Sequence, residues 1–263
     1  MMIKHITRYL LAAVITIGSL TGIQARNITA EADSAYNALA YSHALELYNE
    51  ALDSAGTSTH LYYNIANTYY RLGDLGRAVL WYERALQLDP TNSDAWANLE
   101  FVNTRITDKP VDNRSLISRG YDNLTSACHP DTWAWITFIL FTLTVIAFVG
   151  YLVTTGVIVR KTCFFGGGIL LIITVITLSL SFSGASVASR HDNAIIISPS
   201  AQLSTAPRAA SDADTQAFLL HEGTKIQIVD SVKPTDPALD SWYEVKVAGN
   251  ARAWINGRDI ERI

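Results

Sequence analysis

Apolar residues fall into three regimes along this chain. Near the N-terminus, Tyr9 to Gly22 carries no charge and follows Lys4 and Arg8. In the middle, two runs lack Asp, Glu, Lys and Arg altogether, Thr132 to Val159 and Thr162 to Ser189, 28 residues each. After Arg190, short stretches alternate apolar with polar. Each central run exceeds the roughly 20 residues that cross a 30 Å hydrocarbon core, which predicts transmembrane helices over 132–159 and 162–189. Trp133 and Trp135 begin the first and Tyr151 stands near its end, about 27 Å away along a helix, where aromatic side chains favour the two interfaces. Gly166-Gly167-Gly168 reads as a close helix contact, because no Lys-Ser/Thr follows at phosphate-loop spacing. No ionisable residue interrupts either run, which argues against an ion or proton pathway.

The first 25 residues read as a secretory signal: a basic start, a short apolar region and a small residue at Ala25. An uncleaved anchor is the alternative. Either places residue 30 onward outside the cytoplasmic membrane. Arg160 and Lys161, between the two runs, then form the cytoplasmic turn at 160–161 by the positive-inside rule. The expected topology is out–in–out, in the inner membrane, with both flanking regions in the periplasm.

Residues 26–107 repeat at an interval of 34. Ala32 falls on Ala66, Tyr36 on Tyr70, Ala44 on Ala78, Tyr48 on Tyr82, Ala51 on Ala85 and Leu52 on Leu86. One step further, Tyr62 falls on Trp96, Asn64 on Asn98 and Ile65 on Leu99. That is the period of the tetratricopeptide helix–turn–helix repeat. The best copy runs from Thr59 to Asn92, with Ala66 and Ala78 small at the helix crossing, Tyr69 and Tyr82 filling beside them, Gly73-Asp74 at the turn and Pro90 ending the second helix. The first repeat has Leu39 in place of the turn glycine and Gly56 in place of the proline. Ser93 to Thr107 reads as a capping helix, so five helices are expected. Such arrays bind peptides along the face of their first helices. Here that face carries Tyr36, Asn37, Tyr63, Asn67, Tyr70, Arg71, Phe101 and Arg105. The tyrosines read equally as packing residues, and the arginines as solvated surface. A two-lysine carboxylate clamp is missing. In the linker, 108–131, Leu116, Ile117, Tyr121 and Leu124 share one face of a short helix lying on the membrane, or the segment is a plain tether.

In 190–263 the stretches Ala194–Ile197, Leu219–Thr224, Lys225–Val229, Trp242–Val247 and Ala253–Ile255 predict closely spaced strands and a small barrel. "LHEGTKIQIVD", "WYEVKV" and "AWI" before "IERI" resemble a bacterial SH3-like domain, with Ala253 where that family has glycine. The resemblance implies a binding module for peptide or cell-wall material, with Trp242, Tyr243 and Trp254 as candidate contacts. His221 reads as a loop residue before a tight turn.

Composition narrows the function. Charged residues make up 17% of 263 and the net charge is −4, so no basic excess exists to hold nucleic acid. Two cysteines, Cys128 and Cys163, exclude a disulfide scaffold or a multi-cysteine zinc site. Separated by a membrane thickness, they cannot pair. Cys128 is open to an intermolecular bridge or is a passive thiol. No nucleophile elbow, zinc helix or paired-carboxylate motif is present, so no enzyme, metal or cofactor is expected. The expected architecture is a multidomain membrane protein: an all-α tetratricopeptide solenoid, two transmembrane helices and a small all-β SH3-like barrel. That order resembles the BatE family of the Bacteroides aerotolerance operon, most specifically through "LYYNIANTYYRLGDLGRAVLWYERALQLDP" and the hairpin after it. The resemblance implies work beside other Bat membrane proteins with von Willebrand factor A domains and, indirectly, a MoxR-type AAA ATPase. Two functions follow as expectations: an assembly scaffold whose helical array grips a partner, or an envelope sensor whose SH3-like domain binds cell wall.

Overall fold

The computed structural model describes residues 28–109, 115–189, 192–209, 216–232, 240–247 and 251–263. The secretory segment read over 1–25 lies outside them. The chain divides into two compact units. The first takes its described residues from 28–88, 93–109 and 192–263, on both sides of the apolar runs. The second takes 89–92 and 115–189.

The described residues of the first unit open with five helices: α1 (28–37), α2 (Tyr41–Ala55), α3 (Thr59–Leu72), α4 (Leu75–Leu88) and α5 (Ser93–Asn103). They form the helical, tetratricopeptide-like region that the 34-residue interval predicts. Ala32, Ala66, Ala44, Ala78, Ala51 and Ala85 are all fully buried. Small side chains at these crossings let the helix axes approach. Tyr48 and Tyr82 are each about as buried, and Tyr69 packs against the same core. The turns repeat as well. After α3, Gly73 is left-handed at φ 86, with Gly73 N–H donating to Tyr70 O and Asp74 N–H to Tyr69 O. After α1, Leu39 takes the same place at φ 64, with Leu39 N–H donating to Tyr36 O and Ala40 N–H to Ala35 O. Both are Schellman closures. Gly56 ends α2 at φ 79, ψ −166, a region open essentially to glycine alone.

Strands β1 (Asn193–Ile196), β2 (Ser200–Ser204), β3 (Gln216–His221), β4 (Lys225–Val232), β5 (Trp242–Lys246), β6 (Arg252–Asn256) and β7 (Ile260–Arg262) form one antiparallel sheet in the order β3-β2-β6-β5-β4-β1-β7. The closed SH3-like barrel expected from strand spacing is not what forms. The sheet is open, with β3 and β7 at its edges. Two contacts explain this. Beyond β7, Arg84 of α4 donates to the Arg262 carbonyl at 2.5 Å and pairs with Glu261 at 3.0 Å. Inside the sheet, among the described residues, β2 meets β6 through the single pair Ser204↔Trp254, next to a register shift within β2–β3.

The sheet packs on the helical array within this unit. Ala194 and Ile196 face the sheet core, with Ala201, Leu203, Ile226, Val245, Ala253 and Ile255, whereas Ile195 joins the helical core. A strand buried on both faces reads as an unbroken apolar run, which is what Ala194–Ile197 is. Gly76 of α4 lies against Ile196, and its N–H donates to Glu222 Oε2 at 3.1 Å. Lys225 pairs with Glu83 at 2.7 Å. Asp108, just past α5, accepts from His221 N–H at 2.6 Å and Thr224 Oγ1 at 3.1 Å, with His221 Nδ1 3.2 Å away. His221 therefore sits in the contact between sheet and array.

The second unit holds α6 (Leu116–Ser126), α7 (Pro130–Val153) and α8 (Val157–Ala188). α7 and α8 are long and apolar enough to cross a membrane, and their apolar side chains are mostly exposed. The sequence boundaries shift here. α7 stops at Val153 and the break is 154–156, so Arg160 and Lys161 are helical rather than forming the turn. Thr154 and Gly156 are both extended and end the helices, whereas the two charges carry no conformational preference against a helix. The helices meet through small residues. A Cβ on Gly167 would lie 3.3 Å from Ala147 Cβ, and one on Gly150 would lie 3.2 Å from Cys163 Sγ. Thr137 Oγ1 donates to Thr177 Oγ1 at 3.0 Å in the buried seam. Of the three consecutive glycines only Gly167 makes this contact, since Gly166 and Gly168 face open space. Cys128 and Cys163 are free thiols.

Candidate protein-binding site

The helices of successive repeats present two kinds of polar cluster, one part-buried and one exposed. The part-buried one is a hydrogen-bonded triad that occurs twice. In the first copy, Tyr48 Oη donates to Asp33 Oδ1 at 2.6 Å and Asn64 Nδ2 to the same atom at 3.0 Å. In the second, Tyr82 Oη donates to Asn67 Oδ1 at 2.5 Å and Asn98 Nδ2 to it at 3.0 Å. Asp33, Tyr48 and Asn64 stand 34 residues before Asn67, Tyr82 and Asn98. Each triad ties the first helix of a repeat to its own second helix and to the next first helix. Burial pushes both phenols well above the ordinary tyrosine range, and for Tyr48 the Asp33 carboxylate adds to it. Tyr63 joins the second triad by accepting from Asn98 Nδ2 at 3.1 Å. Asn67 and Tyr63 are thus held by the array itself.

The exposed set is a row of arginines lying on aromatic rings. Arg71 Nε donates to Tyr36 Oη at 3.4 Å, and its guanidinium lies 5.9 Å from the Tyr41 ring centroid. Tyr36 and Tyr41 meet edge to face at 5.3 Å. One repeat on, the Arg105 guanidinium lies 4.4 Å from the Phe101 centroid and 5.5 Å from that of Tyr70, whose rings meet edge to face at 5.8 Å. Arg71, Phe101 and Arg105 are exposed, while Tyr36 and Tyr70 are half-buried. Such stacking holds a guanidinium in one orientation while leaving its edge for anions. Asn37 is exposed at the end of α1.

The structure therefore splits the eight array residues into an outer row (Tyr36, Tyr70, Arg71, Phe101, Arg105), an inner pair (Tyr63, Asn67) and the outlying Asn37. Sequence reasoning missed Tyr41, which completes the first arginine cluster, and Asp33, whose partner one repeat on is Asn67. The 34-residue shift does align Asp33 with Asn67, but as a chemical likeness rather than an identity.

The three sheet residues part company. Tyr243 shares a face with Val245, packs against the sheet core and receives the Arg262 guanidinium at 5.3 Å. Trp242 pairs with Asn256, and Trp254 with Glu244. The period of two puts both tryptophans on the face opposite Val245 and Ile255, diagonally adjacent and half-buried.

Residues 61–92 match the tetratricopeptide repeat family. This stretch spans all but the first two residues of α3, the whole of α4 and the Asp89–Asn92 turn. No curated protein matches the chain. A tetratricopeptide repeat suggests a protein–protein interaction module.

Proposed function

We propose that this protein is a non-enzymatic, membrane-anchored scaffold of the bacterial cell envelope, and that the arginine–aromatic row on its helical array grips a segment of a membrane partner. The carrying observation is that an arginine against an edge-to-face pair of aromatic rings occurs at Arg71, which lies on Tyr41 and donates to the Tyr36 hydroxyl, and again at Arg105, which lies on Phe101 and Tyr70. Two like sites one repeat apart suit an extended peptide laid across the array. The module order supports a BatE-type role, beside Bat proteins with von Willebrand factor A domains and, through them, a MoxR-type ATPase. Two further features support a hairpin anchor with both flanks outside. The chain before α7 and the chain after α8 build one compact unit, which requires an even number of crossings. Arg160 and Lys161 lie near the α7–α8 break, where the positive-inside rule puts the cytoplasm.

The test is cross-linked recovery from cells in mild detergent, with the full chain beside Arg71→Glu/Arg105→Glu. Both arginines are exposed, so the variant keeps its helical spectrum. Recovery of von Willebrand-type membrane proteins is expected to fall at least about tenfold; equal recovery overturns the assignment of the row. The diagonal pair Trp242/Trp254 favours the sensor as second reading. That reading gains if wild type, but not Trp242→Ala/Trp254→Ala, sediments with peptidoglycan while the arginine variant loses no partner.

A further inference from the structure

We propose that α6 is an interfacial helix whose Leu116–Ile117–Leu124 edge sits at the boundary of lipid headgroups and acyl chains, on the side of the membrane where α7 begins. The inference rests on reading α7 and α8 as spans. One interface is marked where the Arg160 guanidinium lies 4.8 Å from the Tyr151 ring centroid, since both residue types favour that level. From Arg160 to Ser179 is 19 residues of α8, about 29 Å of helix, one hydrocarbon thickness. Ser179 therefore stands at the second interface. α6 is tied there: Tyr121 Oη lies 2.8 Å from Ser179 Oγ, Trp133 Nε1 donates to the Thr125 carbonyl at 3.4 Å, and Gly184 lies against both Pro130 and Thr125.

The orientation of α6 follows from these ties. Tyr121 and Thr125 face α8. Going round the helix at about 100° per residue, Ile117, Leu124 and then Leu116 come next, and they are 86%, 53% and 82% exposed. Beyond them lie Asn123, Arg119, Ser126 and Asp122. Large apolar side chains so open to water, on a helix held at the level of Trp133, are matched by an acyl boundary and not by solvent. The α7 and α8 helices to which α6 is tied expose large apolar side chains as well, in the same unit. The polar side holds one arginine and one aspartate, so the occupant is the lipid surface itself and not an anionic headgroup cluster.

The test is nitroxide accessibility in the full chain, with Cys128→Ser and Cys163→Ala, reconstituted in phosphatidylcholine vesicles. Labels go at Ile117, at Asn123 roughly 120° around α6, at Ile139 in α7 and at Glu100 in α5. The Ile117 label is expected to collide more with oxygen than with a water-soluble nickel chelate, at a depth between those of Ile139 and Glu100. The Asn123 label is expected to favour the chelate. If Ile117 favours the chelate as Glu100 does while Ile139 stays oxygen-accessible, the helix is in water: the interfacial assignment fails and the spans stand. If Ile139 also favours the chelate, the spans fail and the proposal with them. A label at Leu124, roughly 20° around the helix from Ile117, repeats the reading two turns away.

Discussion

Leu39 and Gly73 occupy the same corner of successive repeats and close their helices with the same two backbone hydrogen bonds. A leucine in the left-handed region costs about 1–2 kcal/mol, and glycine there costs the unfolded-chain entropy of about 0.5–1 kcal/mol. Leu39 is 70% exposed, so its side chain adds little packing. The next residue differs too: Asp74 caps α4, accepting from Arg77 N–H at 2.8 Å, whereas Ala40 gives α2 no side-chain cap. Leu39→Gly with Ala40→Asp should therefore raise stability by about 1.5 kcal/mol, mostly from the cap, read as a higher denaturation midpoint with unchanged slope. The buried phenols give a second expectation. The raised pKa of Tyr82 means the folded state holds it neutral when the unfolded chain would ionise it. That stability is fully present below the ordinary pKa near 10 and is lost as pH rises through the range above it. Tyr82→Phe should lower stability at neutral pH by about 1–2 kcal/mol, because Asn67 Oδ1 loses one of its two donors. It should also flatten the alkaline fall in melting temperature. An unchanged alkaline slope would show that this phenol is not the group responsible.

Helix α4 shows how an element is decided by what packs on it. A glycine in the first turn of an exposed helix gains up to about 1 kcal/mol when changed to alanine. Gly76 is buried, and a Cβ there would lie 2.9 Å from the Ile196 carbonyl oxygen and 3.2 Å from Ile197 Cα. Neither backbone atom can rotate away. Gly76→Ala should then destabilise by about 1–3 kcal/mol, measured by thermal unfolding of the full chain. A stabilised variant would mean that β1 does not rest on α4. Strand β1 obeys the same contact from the other side: Ile195 is fully buried against the helices while Ala194 and Ile196 are fully buried in the sheet.

Across the whole molecule, chain from both sides of the α7–α8 hairpin forms one unit held by Ile195, Gly76, Asp108 and the Arg84 and Lys225 ion pairs. Residues in α5 and in the sheet must therefore lie on the same side of any membrane the hairpin crosses. In the background lacking both native cysteines, Glu100→Cys and Arg258→Cys should react alike with an impermeant maleimide in spheroplasts. Thr155→Cys, in the break between α7 and α8, should react only after permeabilisation. Reversal of all three would invert the proposed orientation while keeping the hairpin. Opposite behaviour of Glu100→Cys and Arg258→Cys would break the single unit.

The sequence by itself determined the features set by local period and by composition. Thirty-four-residue spacing of alanine and tyrosine was enough for the helical array, because each repeat must bury the same small contact against its neighbour. Two charge-free runs were enough for the apolar helices, since length and lack of charge are the physical requirement. Strand alternation in Trp242–Val247 was legible because the sheet buries one face there. The outer row was visible residue by residue in Tyr36, Tyr70, Arg71, Phe101 and Arg105. That Tyr63 and Asn67 instead belong to an inner hydrogen-bonded triad was not, because only side-chain geometry separates a packing tyrosine from a presented one. Nor was Tyr41 visible, since it begins α2 and reaches Arg71 on the neighbouring α3, and the 34-residue shift puts Leu75 and no aromatic residue in its place. The tertiary structure alone decided three things. The sheet stays open because α4 takes up β7 through Arg84. The helical break falls at 154–156 and not at the charges, because extended backbone at Thr154 and Gly156 ends a helix and a cation does not. The two flanks form one unit because Ile196 and Gly76 meet across more than a hundred residues of chain, a distance over which no periodicity carries information.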